Sequence, residues 1–432
     1  MITNKISSGI NGTIKIPGDK SISHRSIIIP SISKGISEIK NILMSDDVMH
    51  TLDAFKSLGV KIINANNKII IHGMGLNSLS KAKKNIYLGN SGTSARLLTG
   101  LLASQPFITT LEGDKSLTSR PMKRIIDPLK IMGAKFDNKS GTLPLTIIGN
   151  KLKSSKIEIE IPSAQIKSGL ILAAINTKGV SNIVERNITR DHTENMIESF
   201  GADIDIKKNG SETSIIINGK QELTSKNIDV PSDLSSSAFF IVAALINEGS
   251  KISMSNININ PTRDGILKAL KKMGANINIK NFRTLSGEIV ADIDVEYSKL
   301  SGCELDAEMA KLMIDEYPIL SVAAAFANGP SLFKGLKELK VKESDRLELI
   351  KLNLNNCGCE CEVINDDLLI KPSKNYKLLD NNIRTDFDHR IAMAFTVMGS
   401  KIGGLFIEDA ESINTSFPNF INIFNNAGGN IL

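Results

Sequence analysis

Six short polar segments contain most of the residues that could do chemistry in this sequence. They read DKSISHR from 19, GNSGTSAR from 89, PSAQIKS from 162, PSDLSSS from 231, IDEYP from 314 and DFDHR from 386. A strongly apolar run with helical character follows each segment. The start of a helix exposes unpaired N–H groups and about half a unit of positive charge. Several such helix starts together predict a site for anionic ligands.

Cationic side chains at these segments support that prediction. Lys20 and Arg25 lie in the first segment, and Gly92 in the second allows backbone amides to approach a ligand closely. Arg120 precedes Pro121, which opens the next helix, so its guanidinium could bind a carboxylate or a phosphate through two hydrogen bonds. Taken alone, GNSGT is also typical of a capped helix start, and Arg120 of a solvated surface side chain.

Acidic side chains lie at equivalent positions later in the chain. Asp315 and Glu316 precede the apolar run PILSVAAAFA, where carboxylates either accept protons or merely complement the helix dipole. The segments KVKESDR and DFDHR add further charged or titratable residues, namely Lys342, Glu343, Arg346, His389 and Arg390. Charged runs usually form a solvated face, but these recur in one phase of a repeat, which favours a site.

A repeated pattern of elements must position these segments. An apolar residue followed by glycine and a strand-like run occurs six times, with glycines at 59, 133, 201, 274, 358 and 428. Apolar residues with helical spacing precede each glycine, which predicts a helix ended by a left-handed glycine cap. The two series alternate, so the sequence predicts six units of strand, helix, strand, helix, strand and strand.

The length of 432 residues exceeds what one hydrophobic core usually organises. Because the repeat of about 70 residues is longer than a common solenoid repeat, we expect three units in each of two compact domains. The internal boundary is expected at 227–232, just before the fourth polar segment.

Composition argues against one class of function, the binding of nucleic acids. The net charge of +6 is spread along the chain, aromatic residues make up only 4% and tryptophan is absent. This composition argues against a nucleic-acid partner, whereas small anionic substrates remain compatible.

The N-terminal residues lack a signal-peptide pattern, and no apolar stretch is long enough to span a membrane, so we expect a cytoplasmic protein without a membrane partner. The cysteines of CGCEC do not have the spacing of a zinc site. They indicate an inward-facing strand in a reducing compartment.

The same segments resemble the 3-phosphoshikimate 1-carboxyvinyltransferase (5-enolpyruvylshikimate-3-phosphate synthase) family. GDKSISHR, LGNSGTSARLL, SRPMKRI, SAQIKSGLILAA, TRDHTE, PTRDGIL, IDEYPILSVAAAFA, LKELKVKESDR, DHRIAMAF and TSFPNF occur in the family's order. The resemblance implies a two-domain inside-out α/β barrel with six βαβαββ units, three in each domain. Its domains would be 13–230 and 231–432, the second completed by 1–12.

The resemblance also implies an activity, namely transfer of the enolpyruvyl group of phosphoenolpyruvate to the 5-hydroxyl of shikimate 3-phosphate, with release of phosphate, on the route to chorismate and the aromatic amino acids. The implied shikimate 3-phosphate contacts are Lys20, Ser21, Arg25, Ser163, Gln165, Arg190, Asp315 and Lys342. The implied phosphoenolpyruvate contacts are Lys20, Gly92, Arg120, Gln165, Arg346 and Arg390. No metal or organic cofactor is implied, and we expect a monomer.

Three residues are implied to be catalytic. Asp315 resembles the acceptor of the 5-hydroxyl proton. Glu343 resembles the acid that protonates the enol methylene and then removes a proton from the resulting methyl group, although Lys20 could also deliver the first proton. His389 is a less certain participant.

Two positions depart from many members of the family. Ala164 replaces a second serine, so we expect Arg190 to carry more of the phosphate binding. Thr415 stands where others have a lysine, so no catalytic lysine is assigned there. Gly92 is the residue type expected of glyphosate-sensitive members, because a side chain there would crowd the inhibitor.

Two alternatives remain open at this point. UDP-N-acetylglucosamine enolpyruvyl transferase shares the fold and the donor, but that family usually carries a cysteine near its phosphoenolpyruvate arginine, and here none precedes Cys303. A non-catalytic scaffold that binds anions or a partner protein would have the same repeats.

Overall fold

The computed structural model describes residues 1–65, 68–138, 140–210, 212–373 and 375–432. Its chain packs into two compact units. The N-terminal unit comprises Lys20–Pro231 and Leu285–Glu288, and the C-terminal unit comprises Met1–Asp19, Ser232–Thr284 and Ile289–Leu432.

The first strand, β1 (Asn11–Thr13), belongs to the C-terminal unit. The N-terminal unit then contains the following helices and strands in chain order: α1 (Lys20–Ser31), β2 (Lys34–Lys40), α2 (Asp46–Ser57), β3 (Lys61–Ala65), β4 (Lys68–Met74), β5 (Ile86–Tyr87), α3 (Gly92–Ala103), β6 (Ile108–Glu112), α4 (Lys115–Ser119), α5 (Lys123–Ile131), β7 (Lys135–Asp137), β8 (Leu145–Ile148), β9 (Lys156–Ile159), α6 (Ala164–Ile175), β10 (Val180–Glu185), α7 (His192–Ser199), β11 (Ile204–Asn209), β12 (Glu212–Asn218) and β13 (Ile228–Asp229).

These strands form three sheets with one shared pattern, in the orders β13-β2-β4-β3, β5-β6-β8-β7 and β9-β10-β12-β11. In each sheet the first pair is parallel and the other pairs are antiparallel. Strand residues alternate between buried and more exposed positions, whereas α1, α3 and α6 are buried on nearly all sides. The apolar helices therefore fill the middle of the unit and the sheets cover them.

The backbones of α3 and α6 touch where two glycines meet. A Cβ atom on Gly100 would lie 1.9 Å from the carbonyl oxygen of Gly169. No side chain fits this contact, so the closeness of the two helices depends on both residues being glycine.

The C-terminal unit repeats this architecture with the following elements: α8 (Leu234–Ile246), β14 (Lys251–Asn258), α9 (Gly265–Lys272), β15 (Ile277–Leu285), β16 (Glu288–Glu296), β17 (Glu304–Leu305), α10 (Ala307–Met313), α11 (Tyr317–Ala325), β18 (Ser331–Phe333), α12 (Arg346–Asn356), β19 (Glu360–Ile364), β20 (Asp367–Lys371), β21 (Asn382–Ile383), α13 (His389–Ile402), β22 (Phe406–Ile407) and α14 (Phe420–Asn426). Short 3₁₀ turns cover Ile314–Glu316, Lys337–Val341 and Ala410–Thr415.

Its sheets have the orders β1-β14-β16-β15, β17-β18-β20-β19 and β21-β22. The last sheet is reduced relative to the predicted unit. Single bridges from Ile2 to Phe406 and from Thr3 to Ile431 stand in for its remaining strands among the described residues. The first residues of the chain thus complete the sixth unit.

The strands that precede the first and fourth polar segments each belong to a sheet of the unit that does not contain the helix that follows them. Strand β1 pairs in parallel with β14, and β13 pairs in parallel with β2. The backbone N–H of Ile14 also donates to Ser253, at 2.8 Å. The predicted N-terminal domain began at residue 13, whereas residues 13–19 pack with the C-terminal unit.

The predicted helix ends and starts are found in the structure. All six predicted cap glycines have positive φ angles, between 80° for Gly358 and 113° for Gly428. The polar segments lie at the starts of α1, α3, α6, α8, α11 and α13, with one difference. The fifth segment follows α10 and forms a 3₁₀ turn before α11, not a strand-to-helix turn. No helix in the described ranges has both the length and the apolar character needed to cross a membrane.

Candidate active site

The start of α1 holds three of the predicted ligands. Lys20 is its first residue, and its Nζ lies 3.0 Å from Oδ2 of Asp47 in α2. One turn later, the Arg25 guanidinium donates to the carbonyl oxygen of Ser21, at 2.8 Å. The helix start is therefore cationic, with one carboxylate holding the ammonium in place.

Arg25 also joins α1 to two other helices. Its Nε donates to Thr193 at the start of α7, at 2.6 Å, and a terminal nitrogen donates to Ser168 in α6, at 2.7 Å. The Thr193 hydroxyl donates in turn to Ser168, at 2.7 Å. Arg25 is almost fully buried, so these hydrogen bonds replace the water that its charge would otherwise need.

The start of α3 brings Gly92 and Arg120 together. The Arg120 guanidinium donates to the side chain of Asn90, and also to Ser116 at 3.3 Å. A Cβ atom on Gly92 would lie 3.1 Å from one nitrogen of Arg120 and 2.5 Å from one of Arg96. The glycine therefore leaves room for both guanidinium groups beside the helix start.

The start of α6 lies beside that of α3. Ser163 caps α6, since its hydroxyl accepts from the N–H of Ile166. The Gln165 amide donates to the hydroxyl of Thr93 in α3, at 3.1 Å. Arg190 is half-buried in the loop between β10 and α7. The N-terminal unit thus joins the starts of α1, α3 and α6, with Arg190 on the loop that leads to α7.

In the C-terminal unit, two cations contact the carboxylate of Asp315. Lys342 and Arg346 each lie 3.2 Å from Oδ1 of Asp315. Arg346 also lies 2.6 Å from a carboxylate oxygen of Glu343. Both predicted acid–base residues therefore contact the same guanidinium.

Arg346 is held in place by Asp388, a residue of the charged segment DFDHR to which the sequence assigned no role. The Asp388 carboxylate accepts from Nε of Arg346 at 2.8 Å and from Ser344 at 3.0 Å, and it caps α13. Burial alone would lower the pKa of Arg346, but Asp388, Glu343 and Asp315 outweigh it and raise the pKa. Arg346 consequently remains charged. The signal in the sequence for Asp388 was its position just before His389 in the segment DFDHR.

Arg390 and His389 lie at the start of α13. Arg390 donates to the backbone oxygen of Asp315 at 3.1 Å and approaches Glu316 at 3.5 Å. Nδ1 of His389 lies 3.2 Å from the hydroxyl of Thr415. The threonine that stands in place of a lysine therefore contacts this helix start directly.

A buried arginine that sequence analysis missed lies beside this cluster. Arg263, from the PTRDGIL segment, forms ion pairs with Asp19 and, at 3.0 Å, with Asp233, and it donates to Ser235 at 2.7 Å. Burial and the nearby Asp19 raise the pKa of Asp233. Ser235 in turn donates to Glu316, so Arg263 contributes to the support behind Arg390.

Lys167 was also missed. It is a buried charge on the apolar helix α6, within the segment SAQIKS. Its Nζ lies 2.9 Å from Glu185 and 2.8 Å from Glu194. A lysine on a helix that is otherwise apolar was the available signal, because such a charge must be paired.

The cysteines of CGCEC face the core of the C-terminal unit. Cys357, Cys359 and Cys361 are buried while Glu360 is exposed, which confirms the inward-facing prediction, although only Cys361 lies within β19 itself. Burial raises the pKa of Cys357 and of Cys359 to about 12. Across the described ranges, no three His, Cys, Asp or Glu side chains are grouped to hold a metal ion.

Comparisons with known proteins identify the family of this chain. The family model EPSP synthase (3-phosphoshikimate 1-carboxyvinyltransferase) matches residues 4–424. A 3-phosphoshikimate 1-carboxyvinyltransferase of Vesicomyosocius okutanii is 42% identical over 427 residues, with 98% of this chain and 97% of the relative covered. One from Bartonella henselae is 44% identical over 430 residues, with 98% and 97% covered.

Solved structures give the same result. An EPSP synthase structure from Acinetobacter baumannii superposes with a TM-score of 0.87 at 38% identity, covering 99% of this chain and 98% of the other. The enolpyruvyl transferase NikO from Streptomyces tendae, at 14% identity and a TM-score of 0.78, covers 99% and 97% and shows the shared fold alone. The predicted fold class, a two-domain inside-out α/β barrel, is confirmed. The chain belongs to the EPSP synthase (3-phosphoshikimate 1-carboxyvinyltransferase) family.

Proposed function

We propose that this chain transfers the enolpyruvyl group of phosphoenolpyruvate to the 5-hydroxyl of shikimate 3-phosphate and that the two clusters described above hold and activate these substrates. The observation that carries the proposal is the arrangement around Arg346. Asp315, a candidate base, and Glu343, a candidate acid, both contact this one buried guanidinium, at 3.2 and 2.6 Å.

The substrates together carry two phosphates and two carboxylates, so binding them requires many cations. We assign shikimate 3-phosphate to Lys20, Ser21, Arg25, Ser163, Gln165, Arg190, Asp315 and Lys342. We assign phosphoenolpyruvate to Lys20, Gly92, Arg120, Gln165, Arg346 and Arg390. The hydrogen bonds of Arg25, Arg120 and Arg346 to protein groups support these assignments, because they orient the guanidinium groups before a ligand arrives.

The chemistry then needs four proton transfers, two during the addition and two during the elimination. As the 5-oxygen bonds to C2 of phosphoenolpyruvate, its proton passes to Asp315 and a proton from Glu343 is added to C3. In the second half, Glu343 removes a proton from the new methyl group while the bond from C2 to the phosphate oxygen breaks. The leaving phosphate takes up the proton held by Asp315. The net products are the enolpyruvyl ether of the acceptor and free phosphate.

Lys20 and the arginines stabilise the charge that develops on the phosphate and carboxylate oxygens. None of these steps requires a metal or an organic cofactor. Because every assigned residue lies on one chain, we propose that a monomer is active. We further propose a cytoplasmic location, which the four free cysteines favour.

The deciding experiment measures phosphate release from phosphoenolpyruvate by the purified protein, with either shikimate 3-phosphate or UDP-N-acetylglucosamine as acceptor. Release with only the shikimate ester is the expected result. Release with only the nucleotide sugar would retain the fold and mechanism but change the acceptor, and absence of release with both would contradict an enzymatic role.

A further inference from the structure

We propose that Lys167 and Glu185 are a pair of positioning residues that hold the loop 186–191 and thereby set the position of Arg190 for the phosphate group of the acceptor. This inference rests on the proposed function, in which Arg190 contacts that phosphate. Lys167 itself lies inside the N-terminal unit with only 1% of its side chain exposed, so it is placed to act through the loop and not by contact with a substrate.

The ammonium of Lys167 meets three acceptors along the segment that carries the loop. Its Nζ lies 2.9 Å from Glu185, the last residue of β10, and 2.8 Å from Glu194 in the first turn of α7. It also donates to the backbone oxygen of Thr189, at 3.1 Å. All three of its N–H donors are therefore used, and they hold the beginning, the middle and the end of the segment.

Glu185 holds the same part of the loop from its other side. Its Oε2 accepts from the hydroxyl of Thr189 at 2.8 Å, and its Oε1 accepts from the Thr189 N–H at 3.4 Å. Thr189 is thus bonded through its N–H, its carbonyl oxygen and its side chain. Arg190 is the next residue, so its Cα has little freedom to move.

The adjacent residues join this network to Arg25, a second residue assigned to the acceptor. Ser168 and Thr193, the neighbours of Lys167 and Glu194, bond to each other at 2.7 Å, and both accept from Arg25. Adjacent residues of α6 and α7 therefore contribute to the positions of both Arg25 and Arg190. Two cations that bind one acceptor molecule must be positioned relative to each other, and this shared network can do that.

Stability alone does not account for a buried charge at position 167. The side chains of Glu185 and Glu194 are also only 3% and 2% exposed, so three ionisable groups have lost their water. An apolar group of similar volume often serves stability as well as or better than a buried ion pair. Burial would lower the pKa of Lys167, but Glu194 and Glu185 outweigh it and raise the pKa, so the ammonium persists.

The experiment compares two isosteric variants of the carboxylates. Glu185→Gln perturbs the contacts to both Lys167 and Thr189, whereas Glu194→Gln leaves those to Thr189 in place. We expect Glu185→Gln to raise KM for shikimate 3-phosphate about tenfold, with KM for phosphoenolpyruvate unchanged. The matched Glu194→Gln should change KM for shikimate 3-phosphate less than about threefold, even if both variants lower Tm similarly.

Arg190→Ala separates this inference from the proposed function. If Arg190→Ala leaves KM for shikimate 3-phosphate unchanged, the assignment of Arg190 fails. If it raises KM, the double variant with Glu185→Gln should be no worse than Arg190→Ala alone, because Glu185 acts through Arg190. Additive effects, equal KM changes in the two glutamine variants, or an unchanged KM in Glu185→Gln would overturn the positioning role of the Lys167–Glu185 pair.

Discussion

At the scale of single residues, Asp315 has the fixed position that a general base needs. Its carboxylate contacts Lys342 and Arg346 at 3.2 Å each, and its backbone oxygen holds Arg390. These contacts hold the carboxylate in one orientation, while Asp388 contacts the Nε of Arg346. The position of Asp315 is therefore set by Lys342, Arg346 and Arg390.

Asp315→Asn should suppress turnover and preserve folding. The amide keeps the shape of the side chain but cannot accept the 5-hydroxyl proton, so we expect kcat to fall about 10²- to 10⁴-fold. Phosphate release measures kcat, and calorimetric titration with shikimate 3-phosphate measures binding, which should persist. Glu308→Gln, on the exposed face of α10, is the control and should match the parent enzyme. Near-normal turnover would remove Asp315 from the proposed role.

Gly92→Ala should weaken phosphoenolpyruvate binding. The added Cβ would lie 3.1 Å from Arg120 and 2.5 Å from Arg96, so both guanidinium groups must shift. We expect KM for phosphoenolpyruvate to rise about tenfold and inhibition by glyphosate to weaken, with KM for the acceptor unchanged. Initial-rate kinetics with Ser119→Ala as the control would show this. An unaltered KM would mean that Gly92 is not beside the donor, and a parent enzyme unaffected by millimolar glyphosate would contradict the expected sensitivity.

At the scale of elements, helix contacts decide how closely the ligand-bearing helix starts approach each other. Helices α3 and α6 touch through backbone at Gly100 and Gly169, and their first turns are joined by the hydrogen bond from Gln165 to Thr93. The close contact in the middle of the two helices thus contributes to the arrangement of their starts.

Gly100→Ala should destabilise the N-terminal unit. Its Cβ would overlap the carbonyl oxygen of Gly169, at 1.9 Å, so the helices must separate, and overpacking of this kind costs about 1–3 kcal/mol or more. Urea unfolding followed by circular dichroism measures the free energy of unfolding. Gly133→Ala, where no atom lies within 4 Å but φ is positive, should cost only about 1 kcal/mol. A smaller loss for Gly100→Ala than for this control would be contrary to the packing argument.

The loop and strand that carry Cys357, Cys359 and Cys361 should be chemically inert in the folded enzyme. Because burial raises the pKa of the first two thiols to about 12, and that of Cys361 also, few thiolates exist at pH 8. Burial also raises the pKa of Cys303, but this thiol is partly exposed, so we expect a disulfide reagent to label Cys303 alone, slowly, and all four thiols after denaturation. Cys303→Ser should abolish the native signal. Rapid labelling of a second thiol in the native state would disprove this expectation.

At the scale of the whole molecule, each unit has its own hydrophobic core. The strand that precedes the first helix of each unit belongs to a sheet of the other unit. Strand β1 completes a sheet of the C-terminal unit, and β13 completes a sheet of the N-terminal unit. The turn Leu285–Glu288 also belongs to the N-terminal unit, where Glu288 lies 2.8 Å from Nδ1 of His192. The units are therefore not two separate lengths of chain.

The active species should be one chain. Sedimentation equilibrium should give a mass near 46.8 kDa at enzymatic concentrations, with or without substrates. The reason is that all assigned ligands come from a single chain. A mass of two chains that coincides with activity would contradict the proposal.

The sequence by itself determined the repeat, the helix ends and the family. Glycine is the residue that takes positive φ without a penalty, so the six cap glycines were readable from spacing alone, and the polar segments before apolar runs marked six helix starts. These signals are local, since they depend on a few neighbouring residues. The ordered motifs also predicted the fold class and the activity class correctly.

Only the tertiary structure decided which strand joins which sheet and which charges meet. Nothing in the residues of β1 (Asn11–Thr13) indicates that this strand pairs with β14, because pairing depends on distant residues. Likewise, Lys167, Asp388 and Arg263 act through partners far away in the sequence, and a single charged letter does not reveal its partner. Burial and pairing arise only when the chain folds, and these interactions hold the predicted ligands in place.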